Sequence, residues 1–231
     1  MILRENFSEE HIRELQLKTK ADPVIIERTL YAFGLLEALV RVGLPFIFKG
    51  GTSLILLLNK PGRLSTDIDI IVEPEINIEF YIAEASKLFP FKDMHEQKRM
   101  GRNNIVKRHF RFTYDSPVRG DQLYILLDVV FEKDHYRNVL ERPIKNELIL
   151  TEGKDLQVKV PSVDCMLGDK LTAFAPHTCG VRLHDGKDME VIKQYYDVYS
   201  LINEYQNFED VRETYLAISE TELAYYNGLI N

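Results

Sequence analysis

The sequence predicts a mixed α/β (α+β) fold, with a sheet flanked by helices over residues 1–161 and a helical unit over 162–231. Three observations carry this. Short apolar runs bounded by turn residues recur at 46–48, 68–72, 105–114 and 122–131, each of strand length. Ile26, Leu30, Phe33, Leu36, Leu39 and Val40 repeat at helical spacing ahead of them. From Ser162 to the end the pattern is helical almost throughout.

In chain order, Ser8 caps a first helix whose opening turn carries Glu9 and Glu10 and which runs to about Lys20. Asp22-Pro23 opens a second, with the proline at the first helical position, and Gly43 and Pro45 stop it. Its periodicity is that of a helix packed on a sheet, with no chemistry of its own. Residues 46–48 are the first strand, 52–58 a helix ended by Asn59-Lys60-Pro61-Gly62, and 68–72 the second strand. A helix over 78–88 closes at Pro90. Segments 105–114 and 122–131, joined through Asp115-Ser116-Pro117, form a long antiparallel hairpin, and 156–160 a shorter strand. Helices follow over 162–175, 186–203 and from Asp210 onward, with no tidy stop before Asn231, as in a truncated chain.

Composition narrows the function. The chain has 231 residues, 45% apolar and 28% charged, which is ordinary for a globular protein with ample core. A net charge of −7 gives no overall basic field, so any nucleic-acid contact must come from a local patch. Two cysteines, Cys165 and Cys179, make no disulfide framework and fit a cytoplasmic setting with free thiols. Charges in MILRENFSEEHIREL occupy the place of a signal peptide's apolar core, and no run reaches the roughly 20 apolar residues of a membrane span.

The chemistry concentrates in FIFKGGTSLILLLNKPGRLSTDIDIIV, residues 46–72. Gly50 and Gly51 leave no side chain between the backbone and a bulky anion, and they allow positive φ. Thr52 and Ser53 open a helix with free N–H groups and hydroxyls for phosphate. Asp67 and Asp69 stand two apart in a β-type run, on one face, roughly 7 Å between α-carbons. Paired carboxylates suit magnesium, which takes oxygen ligands and keeps substrate phosphates in its shell. Asp128 interrupts the apolar strand YILLDVV, where an uncompensated carboxylate costs several kcal/mol.

This pattern resembles the DNA polymerase beta-like nucleotidyltransferase superfamily. More narrowly, Lys49-Gly50-Gly51-Thr52-Ser53-Leu54 followed by Arg63-x-Ser65-x-Asp67-Ile68-Asp69 looks like the AbiEii/AbiGii toxin family, the toxin halves of bacterial toxin–antitoxin and abortive-infection systems. The resemblance implies a nucleotidyltransferase-type sheet with a helical half contributing to the nucleotide site. It implies Mg²⁺ (or Mn²⁺) on Asp67, Asp69 and Asp128, an NTP as substrate, and Asp128 completing the metal site or deprotonating the acceptor hydroxyl. Lys170, in a Lys-Leu-x-Ala context, would contact the triphosphate as a compact mobile charge. Asp197 matches the last acidic motif, although Lys187-Asp188 offers a rival match. Lys193, four residues before Asp197, is spaced to pair with it on one helix face. Arg63 and Ser65 would touch phosphates or support the carboxylates, and Lys49 would neutralise the triphosphate or pair with an aspartate. An RNA acceptor such as the 3′ end of tRNA and a cognate antitoxin follow by the same resemblance. A small-molecule or protein acceptor, and a fold that binds without turnover, are the rival readings.

Other features bear less weight. Lys98, Arg99, Arg102, Lys107, Arg108 and Arg111, interleaved with Phe110, Phe112 and Tyr114, form a candidate RNA stripe with stacking aromatics, though the outer face of a hairpin alternates in the same way. A loop at 177–182 is a second substrate-facing candidate. His177, Cys179 and His184 match no zinc spacing, and no acyl-transfer motif is present.

Overall fold

The computed structural model describes residues 1–97, 107–175 and 180–227. A 3₁₀ turn at Arg4–Phe7 leads into α1 (Glu9–Thr19), whose N-terminus is capped by Ser8 Oγ accepting from the His11 amide. Lys20 ends α1 in the left-handed region, at φ 62°. In α2 (Pro23–Arg41) the Asp22 carboxylate accepts from the Val24 and Ile25 amides, and Gly43 (φ 78°) turns the chain beyond the helix end. From Ile26 to Leu39 α2 is buried on nearly every side, so it is the central helix of the core.

The sheet strands are β1 (Ile47–Lys49), β2 (Ile68–Val72), β3 (Asp93–Glu96), β4 (Lys107–Asp115) and β5 (Gln122–Phe131), in spatial order β1-β2-β5-β4-β3. The β2–β5 pair is parallel and the others are antiparallel. Between these strands lie α3 (Gly50–Leu57) and α4 (Glu79–Ser86). A separate ribbon pairs β6 (Val139–Pro143) with β7 (Gln157–Pro161), and β7 lies beside β1. The chain finishes in α5 (Val163–Ala173), α6 (Asp188–Ile202) and α7 (Phe208–Asn227), with α5 packed on both of the others. Among the described residues, no helix is long and apolar enough to cross a membrane.

The expected α and β elements are present, with two strands added. Neither β3 (DMHE) nor β6 (VLERP) has the apolar alternation that marks a half-buried strand.

The two sheet faces differ. Ile68, Ile70, Phe110, Phe112, Tyr114, Ile125, Leu127 and Val129 point into the core with α2. Tyr114 stacks on Tyr31 of α2 at 3.6 Å between centroids. Buried Glu27 of α2 accepts from Ser116 Oγ (2.9 Å) and the Val118 amide, which anchors the β4–β5 turn. On the second face, Ile71 packs with Tyr136, Cys165 and Ile218, so α5 and α7 cover it at the β1–β2 end. Toward β4 that face carries Lys107, His109, Arg111, Tyr124 and Asp128, all partly or well exposed.

The aromatics expected to stack on RNA therefore face the wrong way. Phe110, Phe112 and Tyr114 are 2%, 0% and 0% exposed and belong to the core. Strand alternation puts Lys107 and Arg111 on one face and these rings on the other, with Arg108 on the side of the rings and over Phe110. Lys98, Arg99 and Arg102 lie outside the described residues, as do His177 and Cys179.

Candidate active site

Strand register brings the expected acids into one row. Lys49 of β1 is the partner of Asp69 in β2, Asp69 of Asp128 in β5, and Asp128 of His109 in β4. Directly paired residues share a sheet face, so Lys49, Asp69, Asp128 and His109 line up across four strands. Asp67 stands one residue ahead of β2, outside the ladder that holds Asp69.

The diglycine turn is shaped by this row. A β-carbon on Gly50 would lie 2.0 Å from Asp69 Oδ2, and φ there is +77°. A β-carbon on Gly51 would lie 2.6 Å from an Arg63 guanidinium nitrogen and 3.0 Å from Ser65 Oγ. Both glycines are thus required by close approach, and the first also by backbone conformation. The hydroxyls expected to face phosphate are turned inward instead. Thr52 Oγ1 donates to the Asp67 carbonyl at 2.5 Å, Ser53 Oγ donates to the Gly50 carbonyl at 2.8 Å, and both residues are fully buried. They brace the turn against the Asp67 loop.

Each carboxylate has a distinct environment. Burial pushes the Asp69 carboxyl up to about 6; the negative charge of Asp128 adds to this, and Lys170 and Lys49 oppose it. Asp67 is also raised, first by burial, against the pull of Arg28 and with a push from Asp128. Asp128 accepts a 2.6 Å hydrogen bond on Oδ1 from His109 Nδ1, which leaves Oδ2 free to face the neighbouring acids. Sequence reasoning missed His109, because its place opposite Asp128 depends on hairpin register.

The C-terminal helices supply cations. Lys170 of α5 and Arg63 of the loop before Asp67 converge on Asp197 of α6. Lys170 Nζ is 2.9 Å from Asp197 Oδ2, and Arg63 holds both carboxylate oxygens through Nε and a terminal nitrogen, each at 2.9 Å. Asp197 is 2% exposed. Of the rival acids it is the one in the site, since Asp188 is exposed at the start of α6. The expected Lys193–Asp197 surface pair is not made: Lys193 bonds Glu190 at 2.9 Å while Asp197 turns inward.

Of the two roles expected of Lys49, the structure shows the pairing with an aspartate, in a second cluster. Its ammonium lies 2.9 Å from Asp169 Oδ2, which also accepts from the Tyr136 hydroxyl at 2.6 Å. Burial by itself would lower the Lys49 pKa, but Asp169, followed by Tyr136, drives it well above the ordinary lysine value. Asp169 is correspondingly held low: burial acts to raise it, and Lys49 and Tyr136 outweigh that. Because Asp169 precedes Lys170, this cluster pins the start of the turn after β1 to the helix that carries Lys170.

α2 contributes more than packing, contrary to the sequence expectation. Because β2 begins opposite Leu127, β5 has no β2 neighbour before that residue. Arg28 of α2 extends there, 3.5 Å from Asp67 Oδ1, with its guanidinium 6.0 Å from the Tyr124 ring centre. Thr29 Oγ1 also donates to the Ser65 carbonyl at 3.0 Å.

Asp69 lies against the diglycine turn, with Asp128 beside it in register and Lys170 acting on it. The family model for the nucleotidyl transferase AbiEii toxin of type IV toxin–antitoxin systems matches residues 34–227. The chain belongs to the AbiEii nucleotidyltransferase family. This AbiEii chain is thus a nucleotidyltransferase of a toxin family. No curated protein matches it. Among solved structures, an antigenic nucleotidyltransferase-like protein from Paracoccidioides brasiliensis is 16% identical with a TM-score of 0.52, over 84% of this chain and 87% of that one. The crystal structure of JHP933 from Helicobacter pylori is 18% identical with a TM-score of 0.42, over 89% of this chain and 97% of that one. At such identities the first likeness bears on the fold alone.

The acids suit a hard divalent cation. Asp67 and Asp69 are both raised in part by the charge of Asp128, a repulsion that a bound cation would relieve. Among the described residues they do not form a closed cage of three or more ligands. Magnesium does not need one, since it is held by one or two carboxylates plus water and substrate phosphates.

Proposed function

We propose that this chain transfers a nucleotidyl group from a magnesium-bound NTP to an acceptor hydroxyl on RNA, the 3′ end of tRNA being the favoured acceptor. The observation that carries the reading is the register pair Asp69–Asp128 beside Gly50, with Lys170 of α5 acting on the same carboxylate. Asp69 and Asp128 would hold Mg²⁺, or Mn²⁺ as a substitute, with water and the triphosphate filling its shell, and Asp67 would add negative charge beside them. Bound there, the cation would neutralise triphosphate charge and polarise the α-phosphate.

The protein's own residues do the rest. The Gly50-Gly51 turn lets the backbone approach the phosphates, and amide N–H groups at the start of α3 face them. Lys170, held by Asp197, offsets charge on the leaving pyrophosphate. The acceptor oxygen forms a bond to the α-phosphorus as the bond from that phosphorus to the bridging oxygen breaks, releasing pyrophosphate. The acceptor proton passes to Asp128 Oδ2, the oxygen not engaged by His109. A cognate antitoxin and a cytoplasmic place of action belong to the same reading, since family members are toxins of two-part systems.

The experiment is incubation of the purified chain with labelled NTPs, Mg²⁺ and total tRNA. Label should move to tRNA with the wild type and not with Asp67→Ala/Asp69→Ala. Equal transfer by both proteins refutes the mechanism. Label on a protein or small molecule in place of RNA refutes the acceptor.

A further inference from the structure

The second face of the sheet continues beyond Asp128 to a cation-flanked aromatic ring that the catalytic scheme leaves unused. Tyr124 lies on the same strand and face as Asp128, roughly 13 Å away along β5. It is 38% exposed and is the one phenylalanine, tyrosine or tryptophan on that face of the sheet strands among the described residues. The Arg111 guanidinium lies 4.5 Å from its ring centre and that of Arg28 6.0 Å away. Arg111 Nε is held by Gln97 Oε1 at 3.1 Å, which fixes its plane beside the ring. Arg28 is anchored at Asp67, and its Nε is buried without a hydrogen-bond partner. The arrangement thus offers a partly exposed aromatic ring flanked by two guanidinium groups, on the sheet face that carries the acids.

We propose that Tyr124, with Arg111 and Arg28, is the stacking platform for one base of a single-stranded RNA acceptor, upstream of the nucleotide whose hydroxyl reacts at Asp128. This rests on the RNA-transfer reading above and adds the acceptor's path. Single strands are held by base–aromatic stacking together with basic side chains along the backbone, the combination present here. The carboxylates at one end repel phosphate unless a cation is bound, while the arginines at the other attract it, so the strand has a direction of entry. A folded protein partner would need a broad apolar patch, and this face offers one ring between charged groups.

The test uses the full chain and a fluorescently labelled single-stranded RNA oligonucleotide ending in the acceptor sequence of tRNA, followed by fluorescence anisotropy. Tyr124→Ala should weaken RNA binding at least about five-fold, the lower end for loss of one base stack. Tyr124→Phe keeps the ring and should stay within about two-fold of wild type. Arg111→Ala should weaken binding and flatten its salt dependence. Affinity for an NTP analogue, read by calorimetry, should be unchanged in all three variants. Unaltered RNA binding by Tyr124→Ala, or equal losses in Tyr124→Phe and Tyr124→Ala, overturns the proposal. So does a loss of NTP affinity, which would place Tyr124 in the nucleotide pocket. Failure of the underlying transfer reading looks different: the wild type itself would label no RNA.

Discussion

Replacing Gly50 with alanine would set a β-carbon 2.0 Å from Asp69 Oδ2, 2.7 Å from its Cγ and 2.9 Å from its Cβ. Ordinary contact begins near 3.4 Å, so the carboxylate oxygen must retreat by about 1.4 Å (3.4 minus 2.0). Asp69 is held in a strand between β1 and β5, so its carboxylate must rotate and the paired backbone must also shift to move its own β-carbon clear. A misplacement of about 1 Å at a reacting centre costs about 100-fold in rate, so transfer activity should fall at least that far. The backbone adds its own cost: φ is +77° at Gly50, and an L-residue in that region costs about 1–2 kcal/mol. For a chain of this size that lowers Tm by about 2–8 °C. The assay is labelled nucleotide transfer beside a thermal melt. Gly51→Ala serves as the internal contrast, because its β-carbon meets side-chain ends of Arg63 and Ser65 and no strand residue, and its φ is not positive. Its melt should move less than that of Gly50→Ala. Near-wild-type activity and Tm in Gly50→Ala would refute the claim that Asp69 must lie against a bare backbone.

Three further outcomes are expected. Asp169→Asn breaks the buried Lys49–Asp169–Tyr136 cluster and should cost about 3 kcal/mol at pH 7, a Tm drop of about 6–12 °C. Because the folded-state pKa of Asp169 lies below its ordinary value, its contribution is fully present above the unfolded pKa and is lost as pH falls through the folded one. The gap between wild-type and variant melts should therefore close below about pH 4, and a gap that widens there would contradict this. Asp197→Asn leaves Lys170 and Arg63 without the carboxylate between them and should lower both stability and transfer, whereas Asp188→Asn should change neither; the same two assays separate them. His109→Ala should reduce activity and Mn²⁺ affinity by about 10-fold or more. His109→Asn, which can still donate to Asp128, should recover part of both, and paramagnetic titration reads the metal term without turnover.

Much of the architecture was legible because its signals are local. The span of β5 follows from an apolar run between Asp121 and Glu132, and α2 from its caps and spacing. The acids and the diglycine are close in sequence or sit inside apolar strands, where a carboxylate stands out. What escaped depends on long-range placement. His109 matters through a register set by the turn at 116–121, which buried Glu27 fixes from a distant helix. Arg28 is one polar residue on an apolar helix, and its reach to Asp67 exists only because β2 starts late beside β5. The Lys49–Asp169 contact joins residues 120 positions apart, and no periodicity reports it. The stacking role expected of Phe110, Phe112 and Tyr114 failed on strand parity, since hydrophobic rings in an alternating strand go to the covered side.

The meeting of Arg63, Lys170 and Asp197 ties the two ends of the polypeptide together, since Arg63 comes from the loop before β2 and the other two from α5 and α6. Asp67, Asp69 and Asp128 all precede α5, while Lys170, whose charge opposes the repulsion at Asp69, arrives with it. A nick between β7 and α5 would separate Asp67, Asp69 and Asp128 from Lys170, and Arg63 from its partner Asp197. Neither fragment could act alone, and mixing them would make recovery of activity a direct measure of how firmly the pieces re-dock.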